Sequence, residues 1–159
     1  MPGMANILVV DDDPFARQIL ADLLKLQDHQ VVVCNDAAAA LAALAEPKGQ
    51  RRPDAVITDV RMPGMDGIDL ARKIRSGLPD LPIALTSAEP DFNIHEEAVS
   101  RGLHVTVMLQ KPIQSRAVQR VVQQLLAGTG TARATGLGHA LGGGAPGVPT
   151  PRRGRLPPG

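Results

Sequence analysis

The stretch ILVVDDDP at residues 7–14 joins four aliphatic residues to three consecutive acids and a proline. A short run that is apolar at every position belongs to a strand covered on both faces, as in the centre of a parallel sheet. Asp13-Pro14 then reads as a helix start, with Asp13 at the N-cap and Pro14 at the first helical position. Asp11 and Asp12 fall between the two, at the carboxyl end of the strand. In doubly wound α/β sheets that edge carries the ligand site.

The same alternation repeats outward from this stretch. Further short aliphatic runs lie at Val31–Val33, Ala55–Thr58, Pro82–Leu85 and Val105–Leu109. Between them lie helical patterns: a stripe of Phe15, Ile19, Leu20, Leu23 and Leu24; Ala37–Leu44 capped by Asp36; Ile68–Ile74, ending near Gly77; and Asn93–Arg101, with Asn93 and Glu96 spaced as a capping box. A last helix, Ser115–Leu126, turns Val118, Val121, Val122, Leu125 and Leu126 inward. Five strands alternating with five helices in about 125 residues predict a doubly wound (βα)₅, flavodoxin-like fold with one parallel sheet and helices on both faces.

Composition divides the chain in two. Residues 1–127 carry 13 Lys+Arg against 16 Asp+Glu, a net of −3. Residues 128–159 carry four arginines, no acid, ten glycines and five prolines. Such a tail cannot bury enough surface to offset its ordering entropy, so 128–159 is expected to be disordered and to hold no output domain. Its four charges give only weak, salt-sensitive attraction to nucleic acid, which is not expected as a partner. With two Phe and no Tyr or Trp, the chain also lacks platforms on which bases could stack. The single cysteine, Cys34, excludes an internal disulfide. No run approaches the roughly 20 apolar residues of a membrane span. The first ten residues lack the basic start of a signal peptide. A cytoplasmic protein is expected.

The carboxyl ends of the strands then decide the chemistry. The first ends in Asp11-Asp12, the third in Asp59, the fourth in Thr86-Ser87 and the fifth in Lys111-Pro112. Three carboxylates on one edge repel and call for a cation. An all-oxygen acidic site suits Mg²⁺, which keeps waters and accepts phosphate oxygens. A lysine and a hydroxyl beside it are what a phosphoryl group in transfer requires, and a carboxylate can itself be the nucleophile. Asp13 reads as a cap, Asp66 as a turn residue and Cys34 as a small buried hydrophobe. His29, His95, His104 and His139 show no metal spacing.

On these residues the chain resembles the receiver domain of two-component response regulators. The matching segments are LVVDDDP at 8–14, VITDVRMPGMDG at 56–67, PIALTSAE at 82–89 and QKP at 110–112, within residues 5–127. The resemblance implies that Asp59 is the phosphoacceptor. It implies that Asp11, Asp12 and Asp59 bind Mg²⁺ together with the backbone carbonyl of Arg61. Lys111 would contact the phosphoryl group, and the peptide bond before Pro112 is often cis in the family. Ser87, followed by Ala88, aligns with the switch hydroxyl, with Thr86 as its neighbour in the alternative register. Two departures stand out. Met108 occupies the position that usually holds Tyr or Phe three residues before the lysine, and Gly102–Lys111 is about two residues long for the family.

The resemblance implies a stand-alone receiver, not an enzyme beyond its own phosphorylation and dephosphorylation at Asp59. Its implied partners are a histidine kinase or histidine phosphotransfer protein and a downstream protein. A homodimer through the face of helix 4, strand 5 and helix 5 is left open. The competing reading is a receiver-like interaction module that works without phosphorylation. An aspartate-based phosphohydrolase ranks last, because Arg61 stands where such enzymes carry a second carboxylate.

Overall fold

The computed structural model describes residues 3–45, 51–104 and 107–134, with side chains described as far as residue 127. Strands β1 (Asn6–Val10), β2 (Gln30–Cys34), β3 (Ala55–Asp59), β4 (Ile83–Ser87) and β5 (Met108–Gln110) alternate with helices α1 (Pro14–Leu26), α2 (Ala37–Ala45), α3 (Gly67–Gly77), α4 (Asp91–Ser100) and α5 (Ser115–Ala134). The strands form one parallel sheet in the order β2-β1-β3-β4-β5. This is the expected doubly wound (βα)₅, flavodoxin-like fold.

Strand alternation builds the two layers. Ile7 and Val9 of β1 face one side, where they join Leu20 and Leu24 of α1 and Val118, Val121, Val122 and Leu125 of α5. Leu8 and Val10 face the other side, with Ala40 and Leu44 of α2, Ile68, Leu70 and Ile74 of α3, and Ile94 and Ala98 of α4. Every residue of β1, β3 and β4 is buried, whereas the edge strands β2 and β5 are partly exposed. The runs of β1, β3 and β4 are thus central strands, whereas the equally apolar Val31–Val33 lies on the edge strand β2.

Side-chain caps open three of the five helices, α1, α2 and α3. Asp13 accepts the N–H of Phe15 and Asp36 that of Ala39, as their positions implied. Three expectations need correction. The α1 stripe is centred on Leu20, Ala21 and Leu24, and Phe15 and Ile19 are exposed. At about 100° per residue, both lie on the opposite face from Leu24. Helix α4 begins at Asp91, after Pro90, which places Asn93 inside the helix and not at a capping box. Asp66 is the N-cap of α3, accepting the N–H of Asp69, and not merely a turn residue.

Helix α5 runs to Ala134, seven residues into the segment 128–159 that composition sets apart. The remainder of that segment, 135–159, lies outside the described residues, as do Val105 and Thr106 at the expected start of the fifth strand.

Candidate functional site

Parallel pairing brings the carboxyl ends of β1, β3, β4 and β5 to one edge of the sheet. Asp59 closes β3 opposite Thr86, and Asp11 and Asp12 follow β1. Asp11 and Asp59 are buried and Asp12 is exposed. Each of the three offers a carboxylate oxygen, and these oxygens lie within 4.8 Å of one another. Lys111, in the β5–α5 loop, places Nζ 3.1 Å from Asp59 Oδ1 and 3.1 Å from Asp11 Oδ2. The Lys111–Pro112 peptide bond is cis.

The balance of charge is the central fact of this site. Two carboxylates at that separation repel by roughly 3 kcal/mol at an effective dielectric of about 20. One ammonium cannot offset three carboxylates. Burial, and then the charge of Asp11, push the Asp59 carboxyl up to about 6, although Lys111 opposes the shift. Lys111 is itself held above its usual value by Asp59 and Asp11, against its own partial burial. All ligand candidates are hard oxygens, and the cluster could hold a metal ion.

Backbone geometry holds these groups in place. Asp11 Oδ1 accepts the N–H of Asp13 at 2.9 Å, and the Asp11 N–H donates to the Cys34 carbonyl at 3.1 Å. On β3, the N–H of Val60 donates to Thr86 O at 3.0 Å, and that of Gly67 to Val60 O at 2.8 Å. Gly67 has no room for a side chain. A Cβ there would overlap the Asp59 carbonyl oxygen and sit 2.9 Å from Val60 Cα. The start of α3 can therefore press against the phosphoacceptor candidate only because residue 67 is glycine. Ser87 is buried at the end of β4, where its Oγ accepts the N–H of Glu89 at 3.0 Å and so keeps its proton for another acceptor. Thr86 is also buried, opposite Asp59. Met108 is half-buried against the α2–α4 layer.

Three supporting side-chain roles escaped the sequence reading. Arg17 donates from Nη1 to the Asp11 carbonyl at 2.8 Å, fixing the β1–α1 loop. A signal for it existed, because Arg17 lies three, four and seven residues before Leu20, Ala21 and Leu24, on the buried face of α1. Gln110 donates from Nε2 to the carbonyls of Ser87 and Glu89 at 3.3 and 3.1 Å, holding the β4–α4 loop. The side chain of Arg61 turns to α4, pairing with Glu89 and Glu97 at 2.6 and 2.7 Å. Nothing local in the sequence marks the last two, since both join elements distant along the chain.

Comparison with known proteins agrees with this architecture. The family model for the response regulator receiver domain matches residues 7–123. The chain belongs to the response regulator receiver family. Over 118 residues it is 38% identical to the response regulator protein FleR of Pseudomonas aeruginosa, covering 74% of this chain and 24% of FleR. Over 97 residues it is 42% identical to the response regulator MprA of a Mycobacterium species, covering 61% of this chain and 40% of MprA. This receiver thus spans less than half the length of these relatives. Among solved structures it is similar to the chemotaxis protein CheY4 of Vibrio cholerae, with a TM-score of 0.68 at 28% identity over 78% of this chain and all of CheY4. Among the described residues of this receiver, no helix is long and apolar enough to cross a membrane.

Proposed function

We propose that this receiver is a phosphoacceptor switch of a two-component phosphorelay, phosphorylated on Asp59. The observation that carries the reading is the buried Asp59 carboxylate set between Lys111 at 3.1 Å and the acidic pair Asp11–Asp12. At neutral pH Asp59 lies above its raised value of about 6 and is mostly ionised, as a nucleophile must be. One carboxylate oxygen attacks the phosphorus of a phosphohistidine on a histidine kinase or phosphotransfer protein. The P–N bond breaks, the imidazole leaves, and an acyl phosphate forms on Asp59.

Asp11, Asp12, Asp59 and the Arg61 carbonyl would hold Mg²⁺, which supplies charge neutralisation for the phosphoryl oxygens. Lys111 neutralises a further oxygen, and the free proton of Ser87 donates to the phosphoryl group once it is in place. The phosphoryl group adds about −1.5 to −2 of charge. That charge biases the α4–β5–α5 face between two packings and so alters the binding of a downstream protein. Attack of water on the phosphorus breaks the P–O bond to Asp59, releases inorganic phosphate and returns the free carboxylate. The chain acts as a signalling protein in the cytoplasm, with no catalysis beyond this cycle.

Peptide mapping tests the assignment. After incubation with acetyl phosphate and Mg²⁺, a hydroxylamine-labile phosphoryl group is expected on the peptide that contains Asp59. A stable adduct on a serine, or a labile one elsewhere, would overturn it.

A further inference from the structure

Helix α4 is fastened in an unusual way. Only Ile94 and Ala98 are buried in it. Its ion pairs reach the β3–α3 connection between Asp59 and Gly67 and the first turn of α3. At the near end of that loop Arg61 donates to Glu97 at 3.0 and 2.7 Å, and to Glu89 at 2.6 and 3.1 Å. At the far end Asp66 receives both Nη groups of Arg101, at 2.8 and 2.9 Å. Arg101 also pairs with Asp69 at 2.7 Å and with Glu97 at 3.2 Å. Glu97 and Arg101 are one turn apart, so neighbouring positions at the end of α4 grip both ends of the loop.

Two features separate this arrangement from scattered surface pairs. The contacts are paired, fork-to-fork hydrogen bonds, which fix geometry as well as charge. Arg101, Asp66 and Glu97 are also each less than about one-third exposed, so solvent screens them less than it does a free surface pair. Asp66 uses the same carboxylate to cap α3 through Asp69 N–H at 2.9 Å. Any shift of Arg101 therefore reaches the first turn of α3, which presses on the Asp59 carbonyl through Gly67.

We propose that Glu97 and Arg101 are positioning residues that set the β3–α3 loop, and with it the Arg61 carbonyl that the metal reading assigns to the site, so that occupancy of the site and the position of α4 are coupled. The inference rests on the metal reading above, and coupling of this kind is reciprocal. A cation drawn to Asp59 and the Arg61 carbonyl steadies α4, and displacement of α4 by a partner loosens the cation.

Amide hydrogen exchange on the full chain tests this first without metal. In Glu97→Gln and Arg101→Met, exchange at Gly67 and Asp69 is expected to rise roughly three- to tenfold, with α1 and α5 unaffected. Arg51→Met, which removes a pair with Asp54 at the opposite edge of the sheet, should leave both amides unchanged. With Mg²⁺ added, exchange in α4 should slow in the wild type, and the Mg²⁺ dissociation constant should weaken by a similar factor in both variants. If Arg101→Met does not fold, Arg101→Lys carries the test. It keeps the charge but cannot bridge three carboxylates, so intermediate exchange confined to residues 60–70 is expected. Folded variants with wild-type exchange at Gly67 and Asp69 overturn the proposal, as do variants that bind Mg²⁺ as tightly as the wild type. A wild-type protein that binds no Mg²⁺ contradicts the metal reading instead, and the metal-free exchange still decides whether α4 sets the loop.

Discussion

Helices α4 and α5 flank the same short edge strand, yet they are held by opposite means. Helix α5 buries Val118, Val121, Val122 and Leu125 in a layer shared with Leu20 and Leu24 of α1. Helix α4 buries Ile94 and Ala98 and otherwise relies on arginine–carboxylate contacts. Apolar burial is non-directional and adds up over area. Charge-assisted pairs are directional, contribute little to overall stability, and respond to any new charge nearby. One side of this receiver is thus held by buried area, and the other mainly by charge.

The comparison breaks first if stability is spread differently. Leu24→Ala removes a fully buried side chain from the α1–α5 layer and should cost about 2–5 kcal/mol in denaturant unfolding. Gly67→Ala acts on the other layer by overpacking, pushing α3 off Asp59. We expect a loss of about 3 kcal/mol, the upper end of such effects. Arg101→Met should change global stability by less than about 1 kcal/mol while loosening the loop. If its effect matched that of Leu24→Ala, α4 would be as firmly built as α5.

A pH series sharpens the electrostatic side. Burial and Asp11 raise the Asp59 carboxyl to about 6, above its unfolded value of 3.8. Between those values the native state holds more protons than the unfolded state, so the metal-free fold loses stability as pH rises through this window. Asp59→Asn removes the charge. It should be more stable than the wild type by about 3 kcal/mol well above pH 6, with the difference shrinking towards pH 4. Unfolding of both proteins in chelator across pH 4–8 checks this, and a constant difference would place the strain elsewhere. The smallest expected effect is that of salt. At about 1 M the Debye length falls to about 3 Å, which should speed amide exchange in α4 slightly and leave α5 unchanged.

The sequence was most legible where one local pattern carried one physical requirement. The runs Ile7–Val10, Ala55–Thr58 and Pro82–Leu85 are apolar on both faces because their strands are covered on both faces. The acids, the hydroxyl and the lysine fell at strand ends, so the parallel sheet brought them together. Legibility failed where partners are distant in sequence or where pattern and surface compete. Phe15 and Ile19 are apolar yet exposed, because the burial of Leu20 and Leu24 set the rotation of α1. The side-chain pairing of Arg61 with Glu89 and Glu97, and of Arg101 with Asp66 and Asp69, appears only once α3 and α4 are folded side by side.

The central claim is that Asp59 accepts a phosphoryl group in a metal-dependent way. Intact-protein mass spectrometry after incubation with acetyl phosphate, with Mg²⁺ and with chelator, tests it most directly in the wild type and in Asp59→Asn. The expected result is an adduct of about +80 Da, the mass of an added HPO₃, in the wild type with Mg²⁺ alone. An adduct that persists in Asp59→Asn, or a wild type that binds Mg²⁺ and gains no mass, would contradict it.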